Sequence, residues 1–457
     1  MQKLIKVGLA AFSCFLCAAC QTVETKKAPD LSSRVVFTQE EPPIVTADVQ
    51  EGIEKHIAEQ TKLGNGYFRV TFEGRELNLD LVRVHTEYLA TLSPTRHFAC
   101  VDMVDTAGEF YDVDFFMEGT RGNMQVTETT VHKINGRPLY VWEQAEDKTW
   151  SRVPVDEATN ALLGIINGTD RFVFRYQVDL PKIEKEARVW LPLARSDGFQ
   201  QIKAVSITAP VKYKTLVDSI YGNKILFFTF GSEHSEQKID ILYDVTRQEK
   251  GAYAGDPEDA KRYLKSDLKA RIDKHIKETA DQIISGKEGA LMHARAIYDH
   301  VIDSMDYKRC GIGWGQGDLA HARSALSGNC TDFHTYFIAL AKAVGIPARF
   351  AIGASIPSDR DEGGVDGYHC WAEFFAEGKW WPVDISEANK FTALSMYYFG
   401  HHPANRFEFS RGRDLQVSPG PSSGPINFFA YPIMEVDKKQ QVAKIFFGFE
   451  RKRAAQK

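Results

Sequence analysis

The chain carries no basic surplus: 56 Lys and Arg stand against 61 Asp and Glu, a formal charge of -5. Nothing in that balance suits a row of phosphates, which excludes nucleic acid as an expected partner. After residue 20 there is no uninterrupted apolar run of about 18 residues, the length a spanning helix needs, so the remainder is expected to be soluble. Internal repeats and low-complexity tracts are missing too, which sets aside solenoids and compositional disorder. Cysteine is sparse, seven in 457 residues. Cys310, Cys330, His334, His369 and Cys370 lack the paired Cys-x-x-Cys spacing of structural zinc sites, and adjacent His369 and Cys370 should point to opposite faces of a strand; no metal or cofactor is expected. What is present is ordinary for a folded protein: 43% hydrophobic, 26% charged and 12% aromatic residues. The length exceeds what one core usually supports, so two or three domains are expected.

Residues 1–19 run from Lys3 and Lys6 through an apolar stretch, Val7 to Leu16, to small residues before Cys20. This is the three-part layout of a secretory signal peptide. Small residues directly before a Cys also resemble a bacterial lipoprotein box, with Cys17 where Leu usually stands. That resemblance implies lipid on Cys20, a membrane-anchored mature protein and a periplasmic or cell-envelope location; a plain signal peptide cleaved nearby is the alternative. Residues 20–45, with Pro29, Pro42 and Pro43, read as a tether.

Three further regions follow. Residues 46–165 open on a helical pattern (Val49, Ile53, Ile57) and continue in strand-like runs punctuated by Gly74, Gly108, Gly119, Gly122 and Gly136, which predicts a small α+β domain. Nothing in it gathers into a catalytic constellation, so its expected role is structural or in recognition. Residues 168–252 hold several short strands and no helical period, which predicts a β-sandwich-like domain. From Pro257 the composition turns to Ala, Lys, Glu and Ile, favouring helices at the start of a third region, 256–415. Residues 416–457 remain as a C-terminal extension. The fold class expected is therefore multi-domain α+β.

The chemistry gathers in the third region. In "SGNCTDFHTYFIALAKAVGIPAR", Phe333, Phe337, Leu340, Ala341 and Val344 recur at spacings of three and four, an amphipathic helix stopping at Gly345 and Pro347. Cys330 falls at its first turn, where unpaired N–H groups and the helix dipole favour a thiolate. In "GYHCWAEFFAEGKWWPVDISEA", two β-rich runs flank Glu377-Gly378, which predicts a hairpin. A two-residue turn pairs Ala376 with Lys379 and Trp371 with Asp384, making Asp384 the diagonal neighbour of His369. A change of one residue in the turn would destroy this alignment. A thiol nucleophile, an imidazole base and a carboxylate that fixes the ring tautomer are the parts of thiol acyl transfer. His334 reads as a helix-surface histidine, and His401-His402 as loop residues without a role.

The pieces "GNCTDF", "GIPARF", "GYHCWAEFF" and "WWPVDISEA", in that order and spacing, resemble the core of the transglutaminase-like superfamily. The resemblance implies a papain-like α+β core with Cys330 as nucleophile, His369 as base and Asp384 as orienting acid. Trp314 in "GIGWGQGD" is the candidate side-chain donor of an oxyanion hole, beside the Cys330 N–H. The expected activity is acyl transfer from a peptide or carboxamide through a Cys thioester, with hydrolysis favoured over amine cross-linking and protein or peptide substrates, cell-envelope ones included. The alternative is a non-catalytic envelope scaffold built on an inactive core. Cys100, Cys310 and Cys370 are expected as free buried thiols, with a Cys310–Cys370 disulfide as the alternative.

Overall fold

The computed structural model describes residues 46–85, 90–93, 96–144, 150–154, 164–309, 312–390 and 394–452. The signal-like segment, Cys20, the tether and Cys310 lie outside them. The described chain is mixed α+β and mostly sheet.

The first region is a seven-stranded antiparallel sheet with the helix Thr46–Leu63 on one face. Val49, Ile53 and Ile57, one helical turn apart, pack against Val101, Met103, Val113 and Phe115. The central strand Arg96–Asp105 is absent from the sequence expectation because both of its faces are buried, which leaves no alternation to read. The sheet's other face meets the helix Ala290–Ser304 through the buried Arg295–Asp102 pair, and Phe110 stands edge-on to Phe399 at 5.2 Å.

Two five-stranded antiparallel sheets follow, and their buried faces share one hydrophobic core. The strands Thr169–Asp179 and Lys238–Gln248 alternate buried and open residues along their length, as a half-buried sheet requires. The end of the chain is woven into both sheets: Ile433–Val436 pairs with Glu186–Leu193, and Lys444–Arg451 lies between Thr169–Asp179 and Glu362–Gly364. A segment expected as an extension of the third region thus completes the second. Such pairing across about 240 residues or more has no local signature in sequence.

The third region places the helices Lys274–Ile283, Ala290–Ser304, Leu319–Ala325 and Cys330–Ala343 near a sheet ordered Tyr253–Ala254, Lys379–Val383, His369–Ala376, Ala348–Ser355, Arg406–Arg411. Gly353 lies at the irregularity between Ala348–Ser355 and Arg406–Arg411, where a Cβ would stand 1.8 Å from the Phe407 carbonyl oxygen, so only glycine fits. Phe407 and Phe409 of this sheet pack on Phe174 and Tyr176, joining the third region to the second. Among the described residues no helix is long and apolar enough to cross a membrane.

Candidate active site

Cys330 is the first residue of the helix Cys330–Ala343, and that helix is fixed at its start. The Asn329 side chain accepts from the Thr331 N–H at 2.9 Å, while Asp332 Oδ2 reaches back to the Asn329 N–H at 3.0 Å, a reciprocal cap. The same Asp332 oxygen accepts from the Gly315 N–H at 2.7 Å, which ties the turn carrying half-buried Trp314 to the helix start. Every residue from Cys330 to Lys342 is buried. The expected amphipathic helix is instead enclosed on all sides, because the sheet covers one face and neighbouring helices the other.

The hairpin has the two-residue turn read from sequence. Glu377 (φ 54°) and Gly378 (φ 73°) take the left-handed conformations such a turn needs, and Ala376 pairs with Lys379, Phe374 with Trp381 and Ala372 with Val383. Continued by one pair, this register sets Trp371 opposite Asp384 and His369 on the diagonal. His369 Nε2 lies 2.6 Å from Asp384 Oδ2. With that nitrogen committed, Nδ1 is the one left for Cys330, with which His369 shares a side-chain hydrogen bond.

Burial opposes ionisation of Cys330, but hydrogen bonds from Cys370 and His369 and the imidazolium charge outweigh it and carry the thiol well below its ordinary pKa. Burial likewise opposes charge on His369, yet Asp384 and then Cys330 raise it to about 9. Asp384, buried but facing His369 and Arg406, is held far below the usual carboxylate range. The combined direction is a thiolate–imidazolium pair at neutral pH.

Residues 277–385 match the family model of the Transglutaminase-like superfamily. This stretch is a transglutaminase-like core. An uncharacterized protein of Haemophilus influenzae is 28% identical over 313 residues, covering 58% of this chain and 85% of its own length. Among solved structures, a candidate cysteine protease from Cytophaga hutchinsonii aligns at 14% identity and a TM-score of 0.43, covering 62% of this chain and 98% of its own. A candidate protease from Parabacteroides distasonis aligns at 12% identity and a TM-score of 0.23, covering 63% of each chain.

The transglutaminase-like core also gathers residues that sequence reasoning did not place. His334, expected on the helix surface, is fully buried. Its Nε2 accepts from the Ile385 N–H at 3.0 Å, which fixes the proton on Nδ1, and Nδ1 donates to the Cys330 carbonyl at 2.7 Å. With both ring nitrogens engaged and burial lowering its pKa, His334 is a neutral strut between the helix Cys330–Ala343 and the residue after Asp384, with no lone pair left for a metal. His402, expected in a loop without a role, is buried with its ring 4.3 Å from that of Trp371 and its Nε2 3.9 Å from Asp384 Oδ2. Arg406 approaches the same oxygen at 3.7 Å. Asp384 Oδ1 accepts from Ser386 Oγ at 3.2 Å and the Glu387 N–H at 3.3 Å, so the carboxylate also caps the helix Ile385–Lys390. Cys370, expected to point away from His369, reaches Cys330 as well, and is a free thiol 3.7 Å from Thr331 Oγ1. The spacing of four between Cys330 and His334 was the one local signal for these contacts; His402 and Arg406 arrive through the fold.

Proposed function

We infer that this chain is an exported, lipid-anchored thiol hydrolase that cleaves peptide or carboxamide bonds, with Cys330 as nucleophile, His369 as acid and base, and Asp384 as the residue orienting the imidazole. The 2.6 Å bond between His369 Nε2 and Asp384 Oδ2 carries this reading, since it turns the other ring nitrogen toward a thiol at a helix start. The Cys330 thiolate would add to the carbonyl carbon. Charge then develops on the carbonyl oxygen, toward the Cys330 N–H, which as the first in its helix has no carbonyl four residues back to bond. Trp314 is proposed as the second donor, on the turn tied to Asp332. Protonated His369 delivers its proton to the departing nitrogen and leaves a Cys330 thioester. Water, deprotonated by His369, attacks the thioester, the acid departs, and the thiolate–imidazolium pair is restored. Localisation rests on the leader-like residues 1–20, and a peptide or cell-envelope substrate on the acyl chemistry.

The deciding experiment is mass spectrometry of peptides and cell-wall fragments incubated with the wild-type chain and with Cys330→Ala. A cleaved bond or a deamidation shift that requires Cys330 is expected. An amine adduct in place of a hydrolysed product would replace hydrolysis with cross-linking, and no Cys330-dependent product would sink the catalytic reading for those substrates.

A further inference from the structure

The seven-stranded sheet of the first region buries a second polar cluster, on the face opposite the helix Thr46–Leu63. Cys100 and Asp114 are directly paired across the strands Arg96–Asp105 and Phe110–Thr120, and Asp112 lies two residues along on the same face. On the next strand, Asn123–Ile134, the register shifts between Asp112 and Val113, so that Lys133 pairs with Asp112 and Val131 with Val113, leaving His132 as the inserted residue. In a regular strand His132 and Lys133 would face opposite sides. The bulge turns both toward the acids: Lys133 Nζ is 2.8 Å from Asp112 Oδ2, and His132 Nδ1 is 3.3 Å from Asp114 Oδ1.

One donor atom from each of Cys100, Asp112, Asp114 and His132 falls within 4.8 Å of all the others. Cys100 Sγ stands 3.0 Å from Asp114 Oδ1. Tetrahedral coordination at the bond lengths of zinc, about 2.0–2.3 Å, separates neighbouring ligand atoms by roughly 3.3–3.7 Å, which is the scale of this cluster. The outer contacts have the form that ligands need. His132 Nε2 lies 3.1 Å from the Tyr140 carbonyl oxygen, which can only accept, so Nε2 carries a proton and Nδ1 is the nitrogen turned toward the acids, the one that would ligate a bound ion. The Tyr140 hydroxyl holds Asp114 Oδ2 at 2.6 Å, and its ring stacks on His132 at 4.6 Å.

One atom of the cluster, Asp112 Oδ1, has no hydrogen-bond partner, and the Asp112 side chain is only 3% exposed. Buried polar atoms are rarely left so. Lys133 pairs with Asp112, and neighbouring Asp102 has its own partners in Arg295 and His85. A divalent cation taken up with loss of the Cys100 proton to solvent brings thiolate, two carboxylates, ammonium and cation to zero net charge.

The geometry points to a structural metal site formed by Cys100, Asp112, Asp114 and His132, closed by four protein ligands and suited to zinc. Thiolate and imidazole donors select this class over calcium or magnesium, which prefer oxygen alone. The ion would fasten three strands of the sheet and the start of Tyr140–Gln144 together, away from Cys330.

The test uses the full chain carrying Cys330→Ala, so that the active-site thiol cannot compete, stripped with chelator and titrated with Zn²⁺ and with Co²⁺. One equivalent of zinc by elemental analysis is expected, together with near-ultraviolet thiolate-to-cobalt charge transfer and the visible bands of tetrahedral cobalt. Cys100→Ser should abolish the charge-transfer band, and Tyr140→Phe, which keeps all four ligands, should weaken zinc about 10–100-fold. Substoichiometric zinc, absence of the cobalt bands, or a charge-transfer band that survives Cys100→Ser would overturn the proposal. Should Cys100→Ser not fold, zinc-edge X-ray absorption of the parent decides: one sulfur with three nitrogen or oxygen neighbours supports the site, and any other set overturns it.

Discussion

The two buried clusters are built from the same residue types, cysteine, histidine and aspartate, the first across a helix start and a hairpin and the second on neighbouring strands, yet their cysteines are driven in opposite directions. Cys330 sits at a helix start facing His369, and the thiol is pulled toward the thiolate. Cys100 lies mid-strand beside Asp112 and Asp114, where, with no ion bound, burial first and the two carboxylates next hold the thiol protonated. In the first, an aspartate spends its charge on the histidine. In the second, aspartates face the thiol directly. Reactivity follows from whether a cation stands between thiol and carboxylate, not from composition.

The largest break in this contrast should come from the hairpin. One alanine inserted between Glu377 and Gly378 slips the register and separates Asp384 from His369; hydrolysis by the inserted variant should fall at least about 10³-fold with circular dichroism unchanged. Asp384→Asn keeps the shape but alters the tautomer and removes the charge, and a loss in kcat of roughly 10²–10⁴-fold is expected in steady-state kinetics. Alkylation by iodoacetamide followed by peptide mapping should label Cys330 rapidly at pH 7 and leave Cys100 unmodified in the folded chain. In His369→Ala the alkylation midpoint of Cys330 should move to higher pH, since the imidazolium that favoured the thiolate is gone. An unchanged midpoint would remove His369 from the site.

The pH profile sharpens the same comparison. His369, raised to about 9, is protonated at neutral pH and loses its proton as pH climbs through that value, so turnover should decline above about 9 as the acid for the leaving nitrogen disappears. On the other side Cys330, depressed, is protonated only at acidic pH, and the rate should fall there. A profile rising up to pH 10 would contradict the ion pair. Smaller effects belong to the supports. His334→Leu leaves the Ile385 N–H without its acceptor and should cost about 1–3 kcal/mol in urea unfolding. Asn329→Ala removes the cap of the helix Cys330–Ala343 and should cost about 1 kcal/mol.

Legibility divided along the same line. The hairpin carrying His369 could be read because a two-residue turn and a period of two are local, and they alone decide which residue faces which. The helix at Cys330 was readable in its extent, Cys330–Ala343, but its burial on every side was not, since its apolar spacing looks the same whether one face or both are covered. His402 and Arg406 reach Asp384 from a neighbouring stretch whose sequence carries no sign of it. The cluster at Cys100 escaped for two reasons: its strand is buried on both faces and hides its period, and a bulge reverses the side on which His132 lies.

By itself the sequence determined the transglutaminase-like core and the order and register of Cys330, His369 and Asp384, because each depends on a helix start or a tight turn encoded within about twenty residues. Tertiary structure decided the rest: the neutral state of His334, the placement of His402 and Arg406 around Asp384, the return of Lys444–Arg451 beside Thr169–Asp179, and the meeting of Cys100, Asp112, Asp114 and His132. Those contacts join residues far apart in the chain, and only burial, with its demand that every charge find a partner, brings them together.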